Sequence, residues 1–241
     1  MMETLGLIGF GTGGWGALLV AGAAMTFAVT LGALAVGAVL GTLVATAKLS
    51  KSRLARILGD AYTTVFRGVP ELLVIYLIYF GGSTGLTALA RLFGQEGFWG
   101  MPAFVSGALA VGVISGAYQA EVYRGSFLAV GKGELEAARA IGMPVWLRFR
   151  RIVAPQVMRF ALPGLGYVWQ LNLKDSALVS VTGLAELMRT SQMAAGSTHR
   201  YFLFYVVGGA LYLVLTSLSG RVFDSAEARM AKTFPRGIGR S

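Results

Sequence analysis

From Trp15 to Ala47 the chain runs 33 residues without a charged side chain. At about 1.5 Å per helical residue this run exceeds the ~30 Å hydrocarbon core of a bilayer, so it must tilt or extend past the interface. Further apolar stretches follow at about 59–80, 102–130, 161–181 and 201–223. No single aqueous core of a 241-residue chain hides all of them. The expectation is an all-α polytopic membrane protein of about five transmembrane helices, forming one domain over residues 1–241. Composition agrees, since 13% of residues are charged against about 25% in soluble domains. A soluble enzyme and a disordered chain are both excluded. Gly22, Gly32, Gly37 and Gly41 recur on a loosely shared face of the first stretch, which suits close helix packing.

The formal net charge of +10 suggests nucleic acid only if the distribution of charge is ignored. Seventeen of the 21 Lys and Arg fall in segments 48–67, 124–159 and 221–241, while the opposite-side segments hold only Arg91, Arg189 and Arg200. By the bias of Lys and Arg toward cytoplasmic loops, the N-terminus is expected outside and the C-terminus in the cytoplasm. No nucleic-acid partner is needed to explain the charge. With no cysteine and a single histidine, His199, thiol chemistry and a histidine metal cluster are excluded. Met1-Met2-Glu3-Thr4 has no basic region, so no cleavable signal peptide is expected and the first helix targets and anchors the chain.

The connection at 131–155 is long and compositionally distinct. Residues 134–141 favour helix, with Glu134 and Glu136 in the first turn. Gly142 stands where a helix C-terminus wants a left-handed residue, and Pro144 opens a second run in which Trp146, Leu147, Phe149 and Ile152 alternate with Arg148, Arg150 and Arg151. Pro155 is expected to close that run before the chain re-enters the membrane. On physical grounds alone this is also what an interfacial helix binding anionic membrane lipid looks like.

Glu136-Ala137-Ala138, then Gly142, Ile152 and Pro155, resembles the EAA motif of bacterial ABC importer permeases, with Ala154 where the family often has leucine. The resemblance extends from about residue 15 to 230. Phe66-Arg67-Gly68-Val69-Pro70-Glu71-Leu72-Leu73 is similar to the RGxP segment of polar amino acid permeases. Ala117 to Gly125, and Leu162-Pro163-Gly164 through Lys174-Asp175-Ser176 to Ser180, are similar to their third and fourth spans. The best-fitting branch is the histidine, octopine and nopaline one, although Tyr167-Val168 stand near where that branch often carries asparagine. The resemblance implies a type I importer permease whose cytoplasmic coupling helix docks on an ATP-binding cassette subunit through Glu136, Ala137, Ala138, Gly142 and Arg148. It also implies two ATPase copies, a second related permease and a periplasmic solute-binding protein as partners, in the bacterial inner membrane. The solute would be a polar or basic amino acid or an opine. No GxxxxGK[ST] pattern occurs in the chain. No cofactor is therefore expected here, and ATP and Mg²⁺ belong to partner chains.

Charged groups inside a bilayer are costly and usually face a cavity or a partner. Lys174 and Asp175 are adjacent, so their side chains diverge and each needs its own partner or water. The region Gln170, Asn172, Lys174, Asp175 and Ser176 is therefore the first candidate for a solute pathway, with Glu71 and Glu121 beside it. The plainer alternative is local ion pairing of Arg67 with Glu71 and of Glu121 with Arg124. Two rival functions stay open at this stage. An ion-gradient-driven secondary transporter predicts inverted repeats, and none is evident. A non-transporting membrane scaffold predicts tolerance of change at Gly142.

Overall fold

The computed structural model describes residues 6–233, with side chains described through Met230. The N-terminal Met1-Met2-Glu3-Thr4 and the basic residues Lys232 (for its side chain), Arg236 and Arg240 lie outside the described residues. The regular elements of the described residues are all helices: α1 Gly16–Leu49, α2 Arg53–Gly68, α3 Glu71–Leu92, α4 Ala103–Leu128, α5 Lys132–Ala140, α6 Val145–Arg148, α7 Ala154–Asp175, α8 Leu187–Thr198 and α9 Tyr201–Thr233. A π-helical turn, Phe149–Val153, leads into α7, and a 3₁₀ segment, Ser176–Thr182, leaves it.

The bundle is built around α4. Two thirds of its most apolar stretch is buried, against 28% or less in the other long apolar helices. The partner along its length is α1, and the glycines on that seam are what let the backbones meet. A Cβ at Gly41 would sit 2.8 Å from the Gln119 Cβ, and one at Gly112 would sit 2.6 Å from the Val36 Cβ. Dispersion between close backbones, rather than apolar burial, is the main source of cohesion in lipid. Val29, Ala33, Ile75, Val111 and Val179 form one apolar cluster, and Leu19, Leu187, Ala194 and Phe204 form a second that holds α8 between α1 and α9.

Four described helices are long and apolar enough to cross a membrane: α1, α3, α4 and α9 as far as Met230. Two of the five expected stretches differ. The stretch 59–80 is not one helix. Pro70 lacks an N–H and forces Val69 to extended backbone (φ −91°, ψ 140°), so α2 ends at Gly68 and α3 begins at Glu71. The apolar helix therefore lies further along the chain, takes in the glycine-rich 81–85 and continues to Leu92. The following strap folds back onto α3, where the Ser83 and Thr87 hydroxyls accept the N–H groups of Met101 and Trp99, both at 3.0 Å. The stretch 161–181 is likewise not uniform. It begins inside α7, whose apolar character is diluted by Arg159, Lys174 and Asp175, and it ends as a 3₁₀ turn.

Candidate functional site

The 131–155 connection forms two short helices joined at a glycine turn. The Gly142 N–H donates to the Arg139 carbonyl at 2.9 Å and the Met143 N–H donates to the Ala138 carbonyl at 3.0 Å. With Gly142 at φ +72° this is a Schellman close, which satisfies carbonyls that a helix end leaves orphaned. Ala138 is buried beneath the turn, while Glu136, Ala137 and Gly142 are exposed and Arg148 is half-buried. Ile141, Val145 and Trp146 are each at least 70% exposed, so the turn presents an apolar knob with nothing in this chain to cover it. The Gln156 side chain donates to the Glu134 carboxylate, which ties α5 to the first turns of α7. Pro155 does not end the second run as expected. It sits in the first turn of α7, where a missing N–H costs little, and the preceding π turn absorbs the change of register.

At the same end of the bundle lies a charged cluster. Lys48, the first charge after the long apolar run, has a side chain only 8% exposed. Its ammonium contacts Glu121, lies 3.0 Å from the Asp60 carboxylate, and donates to the Thr63 hydroxyl at 2.9 Å. Glu121 also takes the Arg124 Nε at 3.1 Å. Of the two ion pairs suggested by spacing, Glu121 with Arg124 forms. Arg67 and Glu71 are separated by the break at Val69-Pro70, and Arg67 instead lies over the Tyr118 ring at 5.3 Å. Glu121 is thus tied to Lys48 of α1, which in turn holds Asp60 and Thr63 of α2. Lys48→Ala is expected to cost about 1–3 kcal/mol, since it leaves Glu121 and Asp60 short of a partner. A fall of several degrees in apparent Tm in detergent checks it.

Further along the bundle the candidates separate into two sets. Asn172 and Ser176 are buried. The Asn172 Nδ2 and the Gln119 Nε2 both donate to the Ser115 hydroxyl at 2.9 Å, Gln119 also reaches the Leu34 carbonyl at 3.2 Å, and the Tyr123 hydroxyl donates to the Gln119 Oε1 at 2.8 Å. This chain of bonds stitches α1, α4 and α7 together. Ser176 donates to the Leu173 carbonyl. Tyr167, Gln170 and Lys174, by contrast, share an exposed face of α7. Asp175 at the end of that helix lies within electrostatic reach of Lys174 and Glu71, and Glu71, Asp175, Arg67 and Tyr167 all lie near Tyr118. The break at Pro70 is what brings Glu71 to this position.

Sequence reasoning missed Glu186. Its carboxylate is fully buried, heads α8, and accepts from the Arg189 N–H at 2.7 Å, the Met188 N–H at 2.8 Å, the Tyr212 hydroxyl at 2.9 Å and the Thr26 hydroxyl at 3.4 Å. Burial pushes its carboxyl above the usual range, against the pull of those four donors. Glutamate is not a favoured N-cap residue, so nothing local marked it. Its role is set by Thr26 and Tyr212, which are 160 and 26 residues away in sequence.

Residues 37–232 match the family described as the binding-protein-dependent transport system inner membrane component. The octopine transport system permease protein OccQ of Rhizobium meliloti is 52% identical over 237 residues, covering 98% of this chain and 100% of that protein. The histidine/lysine/arginine/ornithine transport system permease protein HisQ of Escherichia coli (strain K12) is 38% identical over 216 residues, covering 90% of this chain and 94% of that one. Among solved structures, a chain from the crystal structure of an amino acid ABC transporter with histidines superposes with a TM-score of 0.74 at 33% identity, over 89% of this chain and 95% of that one. A scaffold and a gradient-driven carrier are thereby set aside. Helices packed on glycine seams, the Schellman turn at Gly142 and the match over residues 37–232 agree, and the chain belongs to the binding-protein-dependent transport system inner membrane component family, as a multi-pass permease subunit of an ABC importer and not its ATPase.

Proposed function

We propose that the chain forms half of a translocation pathway for a basic or other polar amino acid or an opine, delivered by a periplasmic binding protein. The observation that carries this reading is the gathering of Glu71, Asp175 and Arg67 around Tyr118, with Lys174 beside Asp175. Two carboxylates there suit an ammonium or guanidinium group, and the neighbouring cations suit a carboxylate. OccQ and HisQ, named as octopine and histidine/lysine/arginine/ornithine transport permeases, support the same solute class. In this reading α7 is the fifth crossing. Its charged residues are tolerated because they line a polar path, and an odd number of crossings leaves the N-terminus periplasmic and the C-terminus cytoplasmic.

Of two ATP-binding cassette subunits, which bind ATP and Mg²⁺, one docks on the exposed knob beside Gly142, and a second related permease takes the other and completes the path. Glu136, Ala137, Ala138 and Arg148 flank that knob. Closure of the cassettes pushes the turn, and the bond between Glu134 and Gln156 passes the motion to α7, whose far end carries Asp175. Co-purification from bacterial membranes tests the assembly: a Walker-containing ATPase and a second small permease should stay bound, and recovery of a lone stable chain would refute it. For the solute, Asp175→Asn is expected to reduce uptake of radiolabelled arginine at least tenfold in reconstituted vesicles, with ATP hydrolysis retained. Unchanged uptake would remove Asp175 from the pathway.

A further inference from the structure

At the end of the bundle that carries the basic loops, α1, α4 and α7 leave between them a crevice of about 300 Å³, at the lower end of the usual range for ligand sites. Its walls include Ala45, Leu49, Phe127, Phe149, Val157 and Met158. Phe127, Phe149 and Met158 are each at least 40% exposed, so the apolar surface is open to the outside. The hydroxyls on the wall are already committed. Thr42 donates to the Ala38 carbonyl and Thr46 to the Leu43 carbonyl, both at 2.7 Å, and Tyr123 donates to Gln119 at 2.8 Å. A polar solute gains little in such a site, whereas a hydrocarbon chain loses nothing by entering it.

The rim has the opposite character. Arg150 and Arg151 follow Phe149 directly and are exposed, as is Lys51 just beyond Leu49. Of the acidic groups at this end, Glu121 and Asp60 are held by Lys48 and Arg124, and Glu134 is engaged by Gln156. That leaves exposed Glu136 on the same connection as the guanidinium pair, while Asp224 and Glu227 of α9 line a separate pocket with Arg159 and Pro163. An apolar slot beside exposed Arg150, Arg151 and Lys51 is complementary to one component of a bilayer. We infer that the crevice is a binding site for an anionic phospholipid, with an acyl chain between α1, α4 and α7 and the headgroup phosphate at Arg150 and Arg151. Assignment to the cytoplasmic leaflet rests on the orientation proposed above, and the site itself does not. Because Tyr123 is both a wall of the crevice and a donor to Gln119, the lipid also braces the bonds that join α1, α4 and α7.

Native mass spectrometry of the assembled transporter, presented with dioleoyl phosphatidylglycerol or dioleoyl phosphatidylcholine, tests this. The wild-type complex should retain phosphatidylglycerol at least fivefold better. Thr46→Phe, which fills the slot from an exposed position, should reduce retained phosphatidylglycerol at least fivefold. The double change Arg150→Gln with Arg151→Gln should lower the preference between the two lipids at least threefold while leaving lipid bound, and it decides the matter alone if Thr46→Phe does not assemble. Equal retention of the two lipids by the wild type, or wild-type preference in the double variant, would overturn the proposal. So would loss of the lipid whenever the ATPase subunits are bound, which would give the crevice to that partner.

Discussion

Gly142→Val is expected to leave the chain inserted and assembled but to reduce solute uptake by more than tenfold, with solute-stimulated ATP hydrolysis falling in parallel. Space is not the cause, because a Cβ at Gly142 would meet nothing within 4 Å. The cause is the backbone, held at φ +72° by the bonds from Gly142 to Arg139 and from Met143 to Ala138. A residue other than glycine pays about 1–2 kcal/mol in this region, and a β-branched one more. The turn lies on the surface with few contacts to hold it, so it rearranges rather than bearing the strain. Ile141, Val145 and Trp146 then lose their shared presentation. Gly142→Asn, which enters the left-handed region with less strain, should retain most of the uptake. Side-by-side uptake in vesicles, with membrane levels measured by immunoblot, checks both variants. Wild-type uptake in Gly142→Val would detach this turn from energy coupling.

The largest loss of stability is expected from Glu186→Ala. It removes a fully buried carboxylate and leaves the N–H groups of Met188 and Arg189 and the hydroxyls of Tyr212 and Thr26 without that acceptor. Breaking a buried network of this kind costs about 3–5 kcal/mol, or a fall of roughly 10 °C in apparent Tm for a chain of this size. Tyr212→Phe removes one of four donors and should cost about 1 kcal/mol. Thermal unfolding in detergent orders the series. A Glu186→Ala protein as stable as Tyr212→Phe would mean that water replaces the carboxylate and that α8 is positioned by its apolar contacts.

Near-neighbour chemistry was legible in the sequence, and coincidences across space were not. The Schellman turn follows from Gly142 and Pro144 on either side of Met143, because conformational preference is local. Lys48 carried a visible signal, since it is the first charge after 33 neutral residues. Its partners Asp60, Thr63 and Glu121 come from two other helices. The second apolar stretch was misplaced for a related reason: hydropathy averages across Val69-Pro70, whereas the backbone breaks there.

Taken alone, the sequence determined the membrane class, the helical content and the glycine turn at Gly142, because lipid requires internally satisfied backbone and because glycine and proline act within a few residues. Tertiary packing decided the rest. It turned Asn172 inward while leaving Gln170 and Lys174 exposed on the same helix, drew Glu121 into an ion-paired cluster, and buried Glu186 at the head of α8. The physical reason is that a helical side chain's exposure depends on which neighbour covers its face, and close approach of α1 to α4 at Gly41 and Gly112 sets those neighbours.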